Sequence, residues 1–296
     1  MATDAKSWRK IRQPEGFFSI DPLPTATELS AYYAEKYYQT GQSASYQADY
    51  AQQEIDYKRL NARLFLHAIE ANAIGERQFL EVGCGEGFLL EEARAMDWSI
   101  TGVDFSAYGI ERFHPHLMPH VAIGDAFAIL DDYAAQGRRF GACVLQNVLE
   151  HVIDPRRLLI SMRELLPGGK LLVTLPNDYS AVQAKAMETG AIDQEYWFVP
   201  PQHLHYFDID SASKLARNCG FEVTDAFCDF PIESFLFHPG SNYVRDRKNG
   251  AAAHTARMTM SLLSAEKGLD QYLALSRAYA ACGIGRAFTL VLTPAP

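Results

Sequence analysis

Glu81 and Asp104 each end a short apolar run, and glycines at 83, 85 and 87 follow the first of them. A turn through alternate glycines lets the backbone approach a ligand closely, because glycine has no Cβ and tolerates φ > 0. An acid at the end of the second run is placed to accept hydrogen bonds from ribose hydroxyls. The spacing Gly83-Cys84-Gly85-Glu86-Gly87 departs from the G-x-G-x-x-G of dinucleotide sites. An acid beside that turn would repel a pyrophosphate on the helix N-terminus, so Glu81 suits a ligand that carries a cation. A second group of residues suits proton removal near neutral pH: His151, and His203 with His205 behind Pro200-Pro201. Separated by one residue, His203 and His205 point the same way if the segment is extended.

These residues need elements to hold them. Apolar runs at 79–82, 98–103, 120–123, 140–146 and 171–175 alternate with helical patterns, which implies a doubly wound parallel sheet with helices on both faces. Gly124-Asp125-Ala126 follows the third run, and Pro167-Gly168-Gly169-Lys170 leads into the fifth. A helix over 211–218 ends at Cys219-Gly220 as a plausible C-cap; strands follow at 221–227 and 287–293. The gap between these two strands is far too long for a hairpin loop, and 251–263 and 269–281 read as helices within it. Upstream, Pro14, Pro22 and Pro24 mark an extended lead-in over 1–24. A tyrosine-rich helix (Tyr32, Tyr33, Tyr37, Tyr38) starts at Thr25 or Thr27, and a second covers 48–73 with Ile55, Leu60, Leu64, Leu66 and Ile69 on one face. The chain thus divides into a lead-in and helical cap (1–75), a core (76–228 with 286–296), and a helical insertion (229–285) read as a lid.

The 296 residues carry a formal net charge of −9, which argues against a nucleic acid partner. The five cysteines (84, 143, 219, 228, 282) form no C-x-x-C pair, as fits a reducing, cytoplasmic setting. The start of the chain lacks the apolar core of a signal peptide, and no run is long enough for a membrane helix. A monomer or a homodimer is expected.

The run Glu81-Val82-Gly83-Cys84-Gly85-Glu86-Gly87, with Asp104, Gly124-Asp125-Ala126 and Asn147-Val148-Leu149-Glu150-His151-Val152 in order behind it, resembles class I S-adenosylmethionine-dependent methyltransferases. The resemblance covers 79–227. It implies a Rossmann-like, mostly parallel seven-stranded sheet with an antiparallel last strand, and S-adenosylmethionine as cofactor, released as S-adenosylhomocysteine. It places Glu81, Gly83, Cys84, Gly85 and Gly87 at the methionine end. Asp104 with Phe105 falls at the ribose, Asp125 and Ala126 at the adenine, and Gln146 and Asn147 beside the transferred methyl. In relatives, N-terminal helices cap the cofactor; here Tyr33, Tyr37 or Tyr46 either closes over the methionine end or packs in the core. The histidine at the position of His151 packs and caps a helix in many relatives. Pro201-Gln202-His203-Leu204-His205-Tyr206-Phe207 resembles the P-x-H-L-x-Y-F stretch of small-molecule methyltransferases that act on sugars, polyketides, quinone precursors and other metabolites.

Methyl transfer is an in-line displacement, so the protein must align the nucleophile, exclude water and take up a proton. His203 is the favoured base, with His205 in support and His151 as the alternative; an ionisation near the ordinary histidine value of about 6.5 is expected in the rate profile. The other reading is that these histidines only cap and pack. Asn177, Asp178 and Tyr206 are placed to meet the substrate, the first two equally to cap their turn. In the insertion, Tyr243, Arg245, Arg247, Lys248, His254 and Arg257 could hold an anion, or form a solvated face. No metal is expected, because no carboxylate accompanies the histidine pair; His114, His116 and His120 read as solvated. The reading is O- or N-methyl transfer to a polar small molecule, a sugar or nucleotide-linked sugar included. A phenolic, quinone-type or polyketide acceptor is the alternative, with Trp197, Phe198, Phe235 and Phe237 as an apolar wall. A cofactor-binding sensor or scaffold without catalysis is the reading from another class.

Overall fold

A computed structural model describes residues 8–32, 50–70 and 76–296. In chain order the elements are β1 (Arg9–Arg12), β2 (Phe18–Asp21), α1 (Ala26–Tyr32), α2 (Gln52–Glu70), β3 (Gln78–Val82), α3 (Phe88–Ala95), β4 (Ser99–Asp104) and α4 (Tyr108–Phe113). Then come β5 (Val121–Ile123), α5 (Ala126–Ala135), β6 (Ala142–Gln146), α6 (Pro155–Leu165), β7 (Lys170–Pro176), α7 (Ala181–Glu188), β8 (His205–Tyr206) and α8 (Ile209–Asn218). The chain closes with β9 (Phe221–Cys228), α9 (Asn249–Ala265), α10 (Leu269–Cys282) and β10 (Ala287–Pro294).

The main sheet has seven strands in the order β5-β4-β3-β6-β7-β10-β9. β3 to β7 run parallel, and β10 lies antiparallel between β7 and β9. This is the architecture expected from the sequence. The central strands are apolar on both sides because helices cover both faces. Leu80, Val82, Cys143, Leu145, Leu171 and Val173 share one core with α5, α6 and α8. Their neighbours Phe79, Ala142, Val144 and Leu172 share the other with α2, α3 and α10. The strand order reverses beside β3, and a crevice opens there at the carboxyl ends of the strands.

Two parts of the chain differ from the sequence reading in detail. The lead-in is not merely extended: β1 and β2 form a small antiparallel sheet with β8, with Phe18 opposite Tyr206 and Ser19 opposite His205. Helix α2 is a layer helix whose Leu66 and Ile69 are fully buried; Glu54, Tyr57, Lys58 and Asn61 in its first half border the crevice. In the insertion, α9 lies along α2 and α10 packs on β9. Tyr33, Tyr37 and Tyr46 lie outside the described residues.

Gly87 precedes α3 at φ +82°, and a Cβ there would stand 2.3 Å from Ile110 Cδ1 on α4. Gly87→Ala combines left-handed strain with overpacking and should cost about 2–4 kcal/mol of stability. Urea unfolding measures this, and an unchanged midpoint would contradict the packing described.

Candidate active site

A cavity of roughly 1040 Å³ opens at the carboxyl ends of β3, β4, β6 and β7, and every residue that the sequence placed at the cofactor borders it. The loop after β3 is held against β4. Gly83 N–H donates to Val103 O (2.7 Å) and Gly85 N–H to Asp104 Oδ2 (2.7 Å), while Ser106 N–H donates to Asp104 Oδ1 (2.9 Å). Each Asp104 oxygen keeps a further lone pair for a ligand hydroxyl. Burial raises the Asp104 carboxyl above its usual range. Glu81 is 3% exposed and its Oε2 has no hydrogen-bond partner. Burial, and then the charge of Asp104, push the Glu81 carboxyl well above its usual range. Neither acid forms an ion pair among the described residues. A ligand with a positive charge at Glu81 and hydroxyls at Asp104 answers both needs. Asp125 caps α5 by accepting from Ala128 N–H (2.9 Å). Asn147, at the end of β6, has φ +53°, a conformation that asparagine tolerates.

On the wall beyond β6, the rings of His151 and His203 meet edge to face at 4.9 Å. His151 Nδ1 lies 2.6 Å from Gln202 O. A carbonyl only accepts, so Nδ1 carries the proton and Nε2 the lone pair. That lone pair lies 3.8 Å from Glu150 Oε1. Glu150 is 1% exposed, and neither carboxyl oxygen has a hydrogen-bond partner. One polar atom from each of Glu150, His151 and His203 lies within 4.8 Å of the other two. A carboxyl and two imidazoles so placed can share a proton or bind a cation, so the sequence argument that no carboxylate accompanies the histidines does not hold. Burial pushes Glu150 up to about 8, His151 down to about 4 and His203 down to about 3. The expected histidine ionisation near the ordinary value therefore has no owner in this wall.

Residues 50–226, more than half of the chain, match a family model described as a methyltransferase domain. The chain belongs to this methyltransferase family. The enzyme is of class I and uses S-adenosylmethionine, which Glu81, the glycine turn and Asp104 fit by charge and hydrogen-bonding capacity. It is 30% identical over 175 residues to a ubiquinone biosynthesis O-methyltransferase of Xanthomonas axonopodis pv. citri (strain 306), across 56% of this chain and 69% of that one. It is 34% identical over 153 residues to the protein of that name in Cereibacter sphaeroides, across 50% and 61% of the two chains. Among solved structures, the CcbJ methyltransferase of Streptomyces caelestis overlays with a TM-score of 0.49 at 17% identity, covering 84% of this chain and 94% of that one.

Several residues of the methyltransferase fall elsewhere than the sequence suggested. His205 belongs to β8 and does not border the cavity; it is bonded to Ser19 Oγ (2.8 Å) and Val152 O (3.0 Å). His203 sits in the turn before β8, so the alternation of a strand does not extend to it, and the two rings do not share a direction. Asn177, Asp178, Tyr206 and Tyr243 also lie off the cavity. Asn177 holds Gly285 O (2.9 Å), Asp178 pairs with Arg286 (3.0 Å), and the Tyr206 hydroxyl donates to His203 O (3.1 Å). Tyr243 packs in a third cluster with Trp197 and Phe198, which are therefore no cavity wall. Phe235 and Phe237 do not border the cavity either. Of the basic residues in the insertion, His254 and Arg257 reach it, and Arg257 faces Asp229 at 3.7 Å. Arg245 is spent on Gly190 O. His114 is buried against Glu86 O (2.6 Å) and Phe88 rather than solvated. Sequence reasoning missed Glu150 and Arg286, both of which border the cavity.

Asp104→Ala should weaken S-adenosylhomocysteine binding by on the order of 1.5–3 kcal/mol for each ribose hydrogen bond lost. Titration calorimetry reads this, and unchanged affinity would remove Asp104 from the cofactor. A second expectation concerns pH. The Glu150 carboxyl is raised from 4.5 to about 8 in the fold, so the folded state holds a proton that the unfolded chain has lost in that window. Stability contributed by neutral Glu150 is present at low pH and falls as pH rises towards 8. Glu150→Gln should therefore stabilise the protein more at about pH 9 than at about pH 5, by up to a few kcal/mol. Equal shifts in thermal midpoint at both values would show that Glu150 ionises normally.

Proposed function

We propose that this methyltransferase transfers a methyl group to a hydroxyl oxygen of a small phenolic metabolite of the quinone-precursor type. The observation that carries this reading is the Glu150-His151-His203 wall beside Asn147, a proton-accepting cluster where a hydroxyl acceptor must lose its proton. The relatives named as ubiquinone biosynthesis O-methyltransferases support the same choice. Bound S-adenosylmethionine supplies a methyl on a positively charged sulfur, which is a good leaving group. Glu81 favours that charge in its neighbourhood, and Asp104 fixes the ribose. Asn147 and the carboxyl ends of β6 and β7 border the space for the acceptor, and His203 takes its proton. α9 closes the cavity from the side of α2 through His254 and Arg257.

A sugar or nucleotide-linked sugar is the weaker reading, because the basic residues of the insertion do not gather at the cavity. Arg257 alone favours it, with a buried Nε that has no hydrogen-bond partner. Family membership removes the non-catalytic binder. The test is methyl transfer from labelled cofactor to catechols, simple phenols and nucleotide-linked sugars, with products identified by mass spectrometry. Methyl ethers are expected from the catechols and phenols. Turnover confined to the sugars, with a KM raised strongly by Arg257→Glu, would replace this reading.

A further inference from the structure

Resting on the O-methyl transfer reading, we propose that Glu150 is the final acceptor of the hydroxyl proton, reached through His203. The step balances without a co-reactant. The acceptor O–H bond breaks as its oxygen bonds to the methyl carbon, and the S–CH3 bond breaks with its electron pair staying on sulfur. The hydroxyl proton passes to one ring nitrogen of His203, and the proton on the other ring nitrogen passes to a Glu150 oxygen. After product leaves, Glu150 returns its proton to the ring nitrogen of His203 that gave it, and His203 releases the other proton to solvent through the emptied cavity, which restores the starting tautomer.

Three observations lead here. First, Glu150 is buried on the cavity wall with both oxygens unpartnered, and an ionised carboxylate so placed is costly unless something answers it. Second, nothing among the described residues does. His151 turns a lone pair towards it, because its proton is committed to Gln202 O. Arg286 approaches from the start of β10 but is shared between Asp178 (3.0 Å) and Glu233 (3.6 Å), which already exceed its charge. The Tyr206 hydroxyl is spent on His203 O. Third, His203 Nδ1 is buried without a hydrogen-bond partner, and a ring nitrogen of His203 lies within 4.8 Å of the carboxyl, the span of one bridging water or a small side-chain shift. A histidine held neutral by burial is a poor store for a proton but a serviceable relay towards a carboxylate. Burial also brings Glu150 to about 8, near the pH at which a base is most effective. Glu150 thus acts through His203 and need not touch the substrate.

The test is kcat for methylation of catechol between about pH 6 and 10, for wild type, Glu150→Gln and Glu150→Asp. Wild-type kcat should rise with pH through one ionisation near 8 and then level. Glu150→Gln should lose about 10²-fold or more and show no such rise, while S-adenosylhomocysteine affinity stays at the wild-type value. Glu150→Asp should recover part of the rate together with an ionisation. An active wild type matched by Glu150→Gln in rate and profile would overturn the role of Glu150 alone. Activity abolished by dialysis against EDTA and restored by Mn²⁺ would put a divalent cation in place of the proton and also overturn it. A wild type that methylates no hydroxyl would fail the O-methyl reading itself, and this inference with it.

Discussion

Two backbone amides, from Gly83 and Gly85, reach from the end of β3 to the end of β4, one to a carbonyl and one to the Asp104 carboxylate. The remaining site geometry follows from this clasp. It fixes where the glycine turn lies, and so where α3 begins. It also orients Asp104, whose Oδ2 accepts from Gly85 N–H of the loop while Oδ1 accepts from Ser106 N–H just after β4, leaving each oxygen a further lone pair for a ligand. The turn is tight: a Cβ on Gly83 would lie 2.5 Å from Val148 Cγ2, on the segment that continues into Glu150 and His151. The glycine turn and the segment that carries Glu150 and His151 are therefore packed against each other, with no slack between them. A residue that spread the loop would move both.

The central parallel strands were legible because they are buried on both faces and read as nearly unbroken apolar runs, as in Ala142-Cys143-Val144-Leu145. The helices of the insertion were legible from composition and from the excess chain between β9 and β10. By contrast, β1 is exposed along its whole length and β8 has two residues, so neither carries a burial pattern that sequence could reveal. The candidate site divides in the same way. Its cofactor half is built from contiguous or regularly spaced residues and could be read from them. Its acceptor half is built by contacts between distant segments. His151 meets the carbonyl of Gln202, 51 positions later, and Arg286 meets Asp178 across 108. Spacing holds no record of such contacts. His203 and His205 illustrate the risk: a two-residue interval implies a shared face only inside a strand, and His203 lies in the turn before one. Trp197 and Phe198 were equally ambiguous, since an aromatic pair serves a core or a pocket with the same residues, and here it serves the core.

The cavity concentrates uncompensated acids. Glu81, Asp104 and Glu150 are all buried, and none has a cation of its own among the described residues. Arg286, the cation closest in influence to Glu150, is answered twice over. Such an arrangement lowers stability relative to an apolar or paired wall, and it persists only where the rest of the fold can bear it. The two groups of acids recover that cost at different times. In the reading proposed above, Glu81 meets a positive charge when cofactor binds, so its contribution appears as affinity. Glu150 has no such partner in the ground state. Its ionised form is relieved when a proton arrives, which in this reading happens as the methyl is transferred. A group relieved only during reaction contributes to rate and little to binding. The same unpaired carboxyl that makes the folded protein less stable at high pH is thus what makes proton removal downhill there.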